Sequence, residues 1–401
     1  MQKSFNNKLF WFLSLFWLGP LLMFLFWFFT PSTKWVAAII DKSVLTPAGD
    51  KHISFTWLLN QKRLTKTSSD RYKTNYDYFG FFPKENEKFR IKGLERFSSD
   101  QLKQLSEDSD MAYFTDTYGV YKQEWYHKSV SQSVGYGMLY GGLSNQDIEF
   151  LQHMKDKKKL IIAEFNTIGS PTTAENRGKF EEMFGMRWTG WTARFFDNLD
   201  TTVNLALPHW MVKNYTATHQ SPWKFKNAGI AFVHEEGGQV VILEDKTHLK
   251  DPIPYINSGE LGQSKFGLPE EMKYPFWFDI IVPDTRMNEV VSLFSLKYNV
   301  QGLAELKKYG IPTTFPAVIM AKNSKAPFYY FSGDFCDNPI HEYASYFKGI
   351  DSFLSLFYTY NDPMKRKSFF WKFYRPMMSH ILDDAVKKSK LNTSVNTITA
   401  D

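Results

Sequence analysis

An uncharged apolar stretch near the amino terminus constrains this chain more than any other feature of its sequence. Residues 9–29 read LFWFLSLFWLGPLLMFLFWFF, which is 21 residues without a charged side chain. A helix of this length extends about 30 Å, the thickness of the hydrocarbon core of a bilayer. Lys3 and Lys8 precede the stretch, and only Lys34 follows it closely. This charge bias predicts a transmembrane signal anchor, with residues 1–8 in the cytoplasm and the following chain extracytoplasmic.

A cleaved signal peptide is the alternative interpretation of the same stretch. Such peptides carry an apolar region of about 7–15 residues followed by a small-residue cleavage site. The stretch here is longer, and it ends in the bulky residues Phe28 and Phe29. We therefore expect an uncleaved, single-pass anchor, a membrane localisation and a role in the cell envelope.

Composition indicates that the chain beyond this stretch folds around a core. Hydrophobic residues make up 43% of the 401 residues and charged residues 22%, as in ordinary globular domains. The net charge of +6 is spread thinly, without a basic stripe interleaved with aromatic residues, so nucleic acid is not expected as a partner. Cys336 is the single cysteine, which excludes an intrachain disulfide and a CxxC redox pair.

Short apolar runs alternate with helical patterns in the first half of the chain. The runs lie at 35–40, 78–82, 111–115 and 160–163. A helix is expected to begin after Ser144, because Asp147 stands at the spacing of a capping box. This alternation predicts an α/β fold with a doubly wound, mainly parallel sheet over residues 35–185.

The pattern changes after residue 185. Residues 186–386 contain more strand-like stretches, and we expect them to form either an extension of the sheet or a second subdomain. Residues 387–401 are polar and are expected to form a tail.

Polar side chains follow three of the predicted strands at the point where each strand ends. The carboxyl ends of parallel strands meet at one edge of a sheet, where ligands bind in such folds. We take the three carboxylates there as candidate catalytic residues and the other three side chains as candidate ligand-binding residues: Asp41, Asp116 and Glu164, and Lys42, Tyr118 and Asn166. Two of the carboxylates could act as an acid–base pair on a glycan. The alternative is that polar residues simply begin where strands end.

One part of the chain is similar to a known superfamily. Gly141 and Gly142 form a turn, a helical pattern and the apolar run 160–163 follow, and that run ends in the sequence AEFNT at 163–167. In this order, residues 111–169 resemble the class I glutamine amidotransferase-like superfamily. The resemblance implies a flavodoxin-like sheet, with oxyanion donors in the Gly-Gly turn and a cysteine nucleophile at the elbow after the strand. The elbow here has no cysteine, and Cys336 comes far later, so the resemblance implies a branch without glutaminase activity.

Two further segments contain candidate ligand-binding residues. Asp334 and Asp337 follow the strand-like run 328–331 and could bind a cation or join the first edge, although a polar turn is the alternative. Trp188, Trp191 and Arg194 could form a platform for a sugar face or an acidic polymer. The alternative for this second segment is a hairpin whose tryptophan rings cap the sheet.

The remaining motifs exclude several kinds of chemistry. The sequence has no P-loop, GxGxxG, GxSxG or HExxH motif, so we expect neither a cofactor nor a metal site. We therefore hypothesise a membrane-anchored extracytoplasmic protein that binds or processes an envelope glycan or similar polymer, with a polysaccharide or an envelope protein as its partner. The alternative is a catalytically inert assembly or scaffold subunit of an envelope complex. Carboxyl groups in an open cleft would favour the first hypothesis, and buried, ion-paired carboxylates would favour the second.

Overall fold

Short, buried strands form the centre of the protein. The computed structural model describes residues 18–47, 50–126, 137–205, 207–323, 325–355 and 362–398. The strands in chain order are β1 (Thr33–Lys34), β2 (Ala37–Asp41), β3 (Leu64–Thr65), β4 (Phe79–Pro83), β5 (Phe89–Lys92), β6 (Met111–Asp116), β7 (Val120–Tyr121), β8 (Met138–Tyr140), β9 (Leu160–Glu164), β10 (Met186–Phe196), β11 (Gly229–His234), β12 (Val240–Glu244), β13 (Leu249–Ser258), β14 (Glu271–Lys273), β15 (Phe278–Pro283), β16 (Asn288–Tyr298), β17 (Thr314–Ala321) and β18 (Phe328–Phe331).

Helices cover these strands. In chain order they are α1 (described over 18–28), α2 (Ile53–Gln61), α3 (Ser99–Asp108), α4 (Lys122–Trp125), α5 (Asn145–Asp156), α6 (Ala174–Phe184), α7 (His209–His219), α8 (Glu260–Phe266), α9 (Val300–Lys308), α10 (Ile350–Ser355), α11 (Arg366–Phe369) and α12 (Arg375–Ile398). Short 3-10 turns lie at Asp50–His52, Leu94–Arg96 and Glu342–Tyr346, and a π-helical turn, Phe370–Tyr374, joins α11 to α12.

The largest sheet is mixed, and this corrects the predicted fold class. Its ten strands lie in the order β14-β13-β16-β17-β18-β9-β6-β2-β4-β5. The five strands from β18 to β4 run parallel, but β5 and the four strands from β17 to β14 pair antiparallel with their neighbours. The prediction of a doubly wound, mainly parallel sheet is therefore wrong. The physical reason is that strands from the second half of the chain extend the sheet as antiparallel neighbours beyond β18.

A second, antiparallel sheet of four strands lies in the order β12-β11-β10-β15. Its apolar residues Ala193, Phe232 and Leu243 belong to the same core cluster as residues of the large sheet. The two sheets therefore share a core.

The residues of the central parallel strands alternate between two cores. Ile39, Tyr113 and Ile162 lie in the core that α2 and α12 cover. The following residues Ile40 and Phe114 lie in the core that α3, α5 and α6 cover. All of these side chains are buried, and burying an aliphatic side chain contributes about 1.5–3 kcal/mol, which explains why both faces of these strands are apolar.

The structure also corrects the predicted membrane anchor. Residues 9–17 of that segment lie outside the described residues, and among the helices that the structure describes none is both long and apolar enough to cross a membrane. The predictions of a transmembrane signal anchor, of a single-pass membrane localisation and of the extracytoplasmic placement derived from them are therefore wrong. One physical reason is visible at Trp27, whose indole N–H donates to Asn60 O at 3.0 Å and whose ring packs 4.9 Å from that of Tyr346. The end of α1 is thus packed against the domain.

Candidate functional site

A charged cleft opens beyond the carboxyl end of β18. Its cavity measures about 830 Å³, a volume typical of a ligand-binding site. We call it the basic cleft, and it is lined by Lys51, Arg194, Phe276, Trp277, Asp334, Asp337, Pro339, Met364, Lys365, Arg366 and Lys367. Five of these side chains are basic and two are acidic, so the cleft has a surplus of positive charge.

The two aspartates of the cleft are already paired with cations. Arg366 Nη2 lies 2.8 Å from Asp334 Oδ2, and Lys51 Nζ lies 2.9 Å from Asp337 Oδ2. Weaker cross-contacts of 3.8 Å (Lys51 to Asp334) and 4.0 Å (Arg366 to Asp337) join the pairs. The four side chains therefore form one network on the cleft wall.

Charge pairing outweighs burial in this network. Burial alone would raise the pKa of Asp334, but Lys51 and Arg366 lower it below its ordinary value. Burial alone would lower the pKa of Lys51 and that of Arg366, but Asp334 and Asp337 raise both. All three groups are therefore charged near neutral pH.

Arg194 differs from the other arginine of the cleft. Its guanidinium lies over the rings of Phe196 and Trp277, at 5.1 and 5.7 Å from the centroids, and it makes no ion pair with any residue that the structure describes. Its Nε is buried without a hydrogen-bond partner. Burial and the nearby Arg366 lower its pKa, whereas Asp334 and Asp197 oppose the shift without forming an ion pair with it. An anion in the cleft would form such a pair.

The predicted catalytic residue Glu164 is buried behind the cleft. Its Oε2 accepts hydrogen bonds from the backbone N–H groups of Phe335 at 3.2 Å and Cys336 at 3.0 Å, and its Oε1 accepts one from the hydroxyl of Tyr113. Burial raises its pKa well above the ordinary value. Since these contacts hold the loop that carries Asp334 and Asp337, Glu164 shapes the cleft without facing it.

The predicted catalytic residue Asp41 is also buried and paired. Its Oδ2 lies 2.6 Å from His52 Nδ1, and His52 Nε2 lies 2.7 Å from Thr74 O. A carbonyl oxygen can only accept, so Nε2 carries a proton. The pair fixes the turn Asp50–His52, from which Lys51 extends into the cleft. Asp41 therefore acts on the cleft through Lys51.

Asp116 lies between these two carboxylates and differs from both. Its Oδ1 accepts hydrogen bonds from Ser43 Oγ at 2.8 Å and from Tyr118 N at 2.7 Å. Burial raises its pKa to about 7, with Lys51 opposing the shift and two neighbouring aspartates adding to it. Burial thus brings the pKa of Asp116 into the neutral range.

Lys42 is occupied in a separate group of charges. Its ammonium donates to Asp147 Oδ2 at 2.5 Å, to Glu95, and to Gly142 O at 2.9 Å, and only 1% of its side chain is exposed. We call Lys42, Glu95 and Asp147 the Lys42 cluster. It joins the end of β2 to the start of α5, so Lys42 is closed to any ligand.

Tyr118 and Asn166 lie at the same edge of the sheet. Tyr118 is partly exposed, at 38%, and its ring packs 5.1 Å from that of Tyr121. Asn166 has a backbone φ of 63° and donates its N–H to Asp279 Oδ2 at 3.3 Å. Neither residue lines the basic cleft.

The two predicted platform tryptophans are buried within β10. Trp188 is 7% exposed and Trp191 6%, and the indole N–H of Trp188 donates to Trp191 O at 3.0 Å. A register shift between β10 and β15 separates Trp188 from Thr192. Of the three residues predicted for this segment, only Arg194 lines the cleft.

Sequence reasoning missed Lys51, Arg366 and Trp277. No motif surrounds them, and they lie far apart along the chain. The aspartates that were predicted as a cation site instead contact Lys51 and Arg366. Among the described residues, no group of three or more His, Cys, Asp or Glu side chains could hold a metal ion.

The Gly-Gly turn and the single cysteine, both considered for the predicted resemblance, can also be located. The N–H of Gly142 donates to Thr117 O at 2.7 Å, so it is engaged within the protein. Cys336 is buried and accepts a hydrogen bond from the Tyr374 hydroxyl at 3.4 Å. The resemblance itself stays a prediction.

Comparison with known proteins assigns no family. No family model and no curated protein matches the chain. A crystal structure from Bacteroides uniformis, of a protein whose name describes it as ThuA-like, is similar with a TM-score of 0.33 and 9% sequence identity. The match covers 76% of this chain and 84% of that chain. A similarity of this size carries no argument about the fold or the function.

Proposed function

We propose that this protein binds an acidic glycan, or a similar anionic polymer, in the basic cleft. The observation that carries the proposal is Arg194, a guanidinium in a cavity of about 830 Å³ that makes no ion pair with any described residue and whose buried Nε has no hydrogen-bond partner. A guanidinium binds carboxylate, sulfate or phosphate oxygens through two parallel hydrogen bonds. An anionic group of the ligand would therefore supply the missing counter-charge.

The other walls of the cleft suit a ligand that also carries hydroxyl groups. Asp334 and Asp337 line the cavity, and a carboxylate can accept from several donors at once. Trp277 and Phe276 add apolar surface beside these charges. A sugar acid combines the anionic, hydroxyl and apolar faces that such a wall would contact.

The strand-end carboxylates favour binding over catalysis. Asp41 and Glu164 are both almost fully buried and each is held in hydrogen bonds within the protein. Neither can reach a ligand without the loss of those contacts. Their role in this proposal is to position Lys51 and the loop that carries Asp334, as the hypothesis of an inert protein also expects.

Calorimetric titration tests the binding proposal. Oligogalacturonate is the acidic probe, and the same oligomer with its carboxylates methyl-esterified is the neutral one. We expect the acidic probe to bind and the esterified probe to bind at least tenfold more weakly, because esterification removes the anion that Arg194 would contact. Equal binding of the two probes, or binding of neither, would contradict the proposal.

Arg194→Gln is the variant that locates the site. Loss of a charged hydrogen-bond donor costs about 1.5–3 kcal/mol, which corresponds to roughly a tenfold to hundredfold weaker dissociation constant. Arg187→Gln is the matched control, since Arg187 lies on the same strand, is exposed and does not line the cleft. If both substitutions weaken binding equally, the ligand contacts the protein elsewhere.

A further inference from the structure

A second cavity lies at the opposite edge of the parallel strands. It measures about 490 Å³ and is lined by Ile161 near the start of β9 and by Pro327 and Phe328 at the start of β18. The basic cleft lies at the carboxyl end of β18 instead. We call the second cavity the amino-edge cavity.

The interior wall of the amino-edge cavity is apolar. Phe184 and Phe328 line it and stack with their ring centroids 4.0 Å apart and an interplanar angle of 14°. Met183 and Met287 add flexible, polarisable side chains, and Met287 is 40% exposed. This wall would favour an apolar body of irregular shape.

The charged part of the lining is entirely basic, and Asn288 and Asn323 are its neutral polar side chains. Lys155, Lys159, Arg286 and Lys322 line the cavity, and no acidic side chain among the described residues does so. The ammonium groups of Lys155 and Lys159 donate to backbone carbonyl oxygens, which do not neutralise their charge. Arg286 pairs with Asp284, which lies outside the lining, and Lys322 is exposed.

We propose that the amino-edge cavity binds a small amphipathic anion, in which one acidic group is joined to an aromatic or short aliphatic body. The apolar body would cover Phe184, Phe328 and Met287, and burial of apolar surface stabilises such a complex in proportion to its area. The acidic group would lie among the four basic side chains. This charge complementarity is what selects an anion over a neutral apolar molecule of the same shape.

Two fluorescent probes of similar shape test the proposal on the full chain. 8-Anilinonaphthalene-1-sulfonate carries an aromatic body and one negative charge, whereas N-phenyl-1-naphthylamine carries a similar body and no charge. We expect the anionic probe to bind at least tenfold more tightly at low ionic strength and to lose most of this advantage at high salt. Equal affinities at low salt would overturn the charge argument.

Four substitutions test where the probe binds. Lys322→Glu should weaken binding of the anionic probe about fivefold to tenfold and leave the neutral probe unchanged, whereas Lys250→Glu, an equal charge change at an exposed lysine outside the cavity, should have less than a twofold effect. Ala326→Trp should fill the cavity and remove binding of both probes. Ala321→Trp fills it from the neighbouring strand and replaces Ala326→Trp if that variant unfolds at a lower temperature than the wild type. Unchanged binding in the filled variant would overturn the assignment to this cavity.

Discussion

The Lys42 cluster and the basic cleft lie at the same edge of the sheet and use the same residue types, yet they differ in how their charges balance. In the Lys42 cluster one buried ammonium stands between two carboxylates and a carbonyl oxygen, so its donors are satisfied within the protein. In the basic cleft five basic side chains face two acidic ones, and Arg194 has no acidic partner in the described structure. The first arrangement joins secondary structure elements, and the second is able to accept a ligand.

The largest effect is expected when Lys42, the central cation of the Lys42 cluster, is removed. Lys42→Met should lower the free energy of unfolding by about 3–5 kcal/mol, because Asp147 would remain fully buried, and Glu95 partly buried, without their counter-charge. Urea denaturation at neutral pH measures the change. Lys51→Met is the comparison variant and should cost only about 1–2 kcal/mol, since 29% of that side chain is exposed and water can replace it. Equal losses in the two variants would contradict the distinction.

The pH dependence of the free energy of unfolding should reveal the carboxylates whose pKa is raised by burial. Asp116 and Asp279 have pKa values raised to about 7, mainly by burial, from an ordinary value near 4 in the unfolded chain. The folded state therefore binds a proton more tightly than the unfolded state, so their stabilising contribution is complete below about pH 4 and is lost as the pH rises to about 7.

Replacement of Asp116 tests the direction of this pH dependence directly. In the wild type, the free energy of unfolding should fall between about pH 4 and pH 7. In Asp116→Asn this fall should be smaller by on the order of 2 kcal/mol, as measured by denaturant titrations across that range. Asp284→Asn serves as the control, because the pKa of Asp284 is lowered to about 2. Its stabilising contribution is complete above about pH 4 and is lost only at lower pH, so its removal should leave the pH dependence between about pH 4 and pH 7 unchanged. A wild-type protein whose stability rises steadily over this range in parallel with the Asp116→Asn variant would contradict the assignment.

The smallest expected effect is on the pH dependence of ligand binding in the basic cleft. Protonation of Asp116 removes a negative charge from the surroundings of Lys51, so an acidic oligosaccharide should bind about twofold to fourfold more tightly at pH 6 than at pH 8. Calorimetry at constant ionic strength measures this ratio. In Asp116→Asn the ratio should fall to about one, and an unchanged ratio would show that another group titrates.

Local patterns predicted individual elements better than their arrangement. The apolar run 160–163 corresponds to β9, and the predicted cap at Ser144 is confirmed, because its hydroxyl accepts from Asp147 N and its own N–H donates to the Asp147 carboxylate. Both features depend on residues a few positions apart. The mixed sheet was not predicted, because its antiparallel strands are joined to the parallel strands through the pairing of β18 with β9. That pairing depends on residues widely separated along the chain and leaves no periodic signal.

The candidate site shows the same limit. The strand ends placed these side chains at one edge of the sheet, but they did not reveal that Asp41, Lys42 and Glu164 are buried in contacts within the protein. Lys51 and Arg366 complete the cleft from a 3-10 turn and a short helix. Neither residue stands in a pattern that distinguishes it from an ordinary surface cation, so only the folded structure identifies it.

The hydrogen bonds of Glu164 also determine when the cleft can form during protein synthesis. Glu164 holds the loop after β18, its partner Tyr113 is hydrogen-bonded to Tyr374 at 2.8 Å, and Arg366 pairs with Asp334 in the same loop. Domains begin to fold from the amino-terminal side as the ribosome extends the chain. A nascent chain that has not yet reached Arg366 and Tyr374 can form the central strands but lacks the residues that close the cleft. The cleft that we propose as a binding site is therefore complete only after every described strand has been translated.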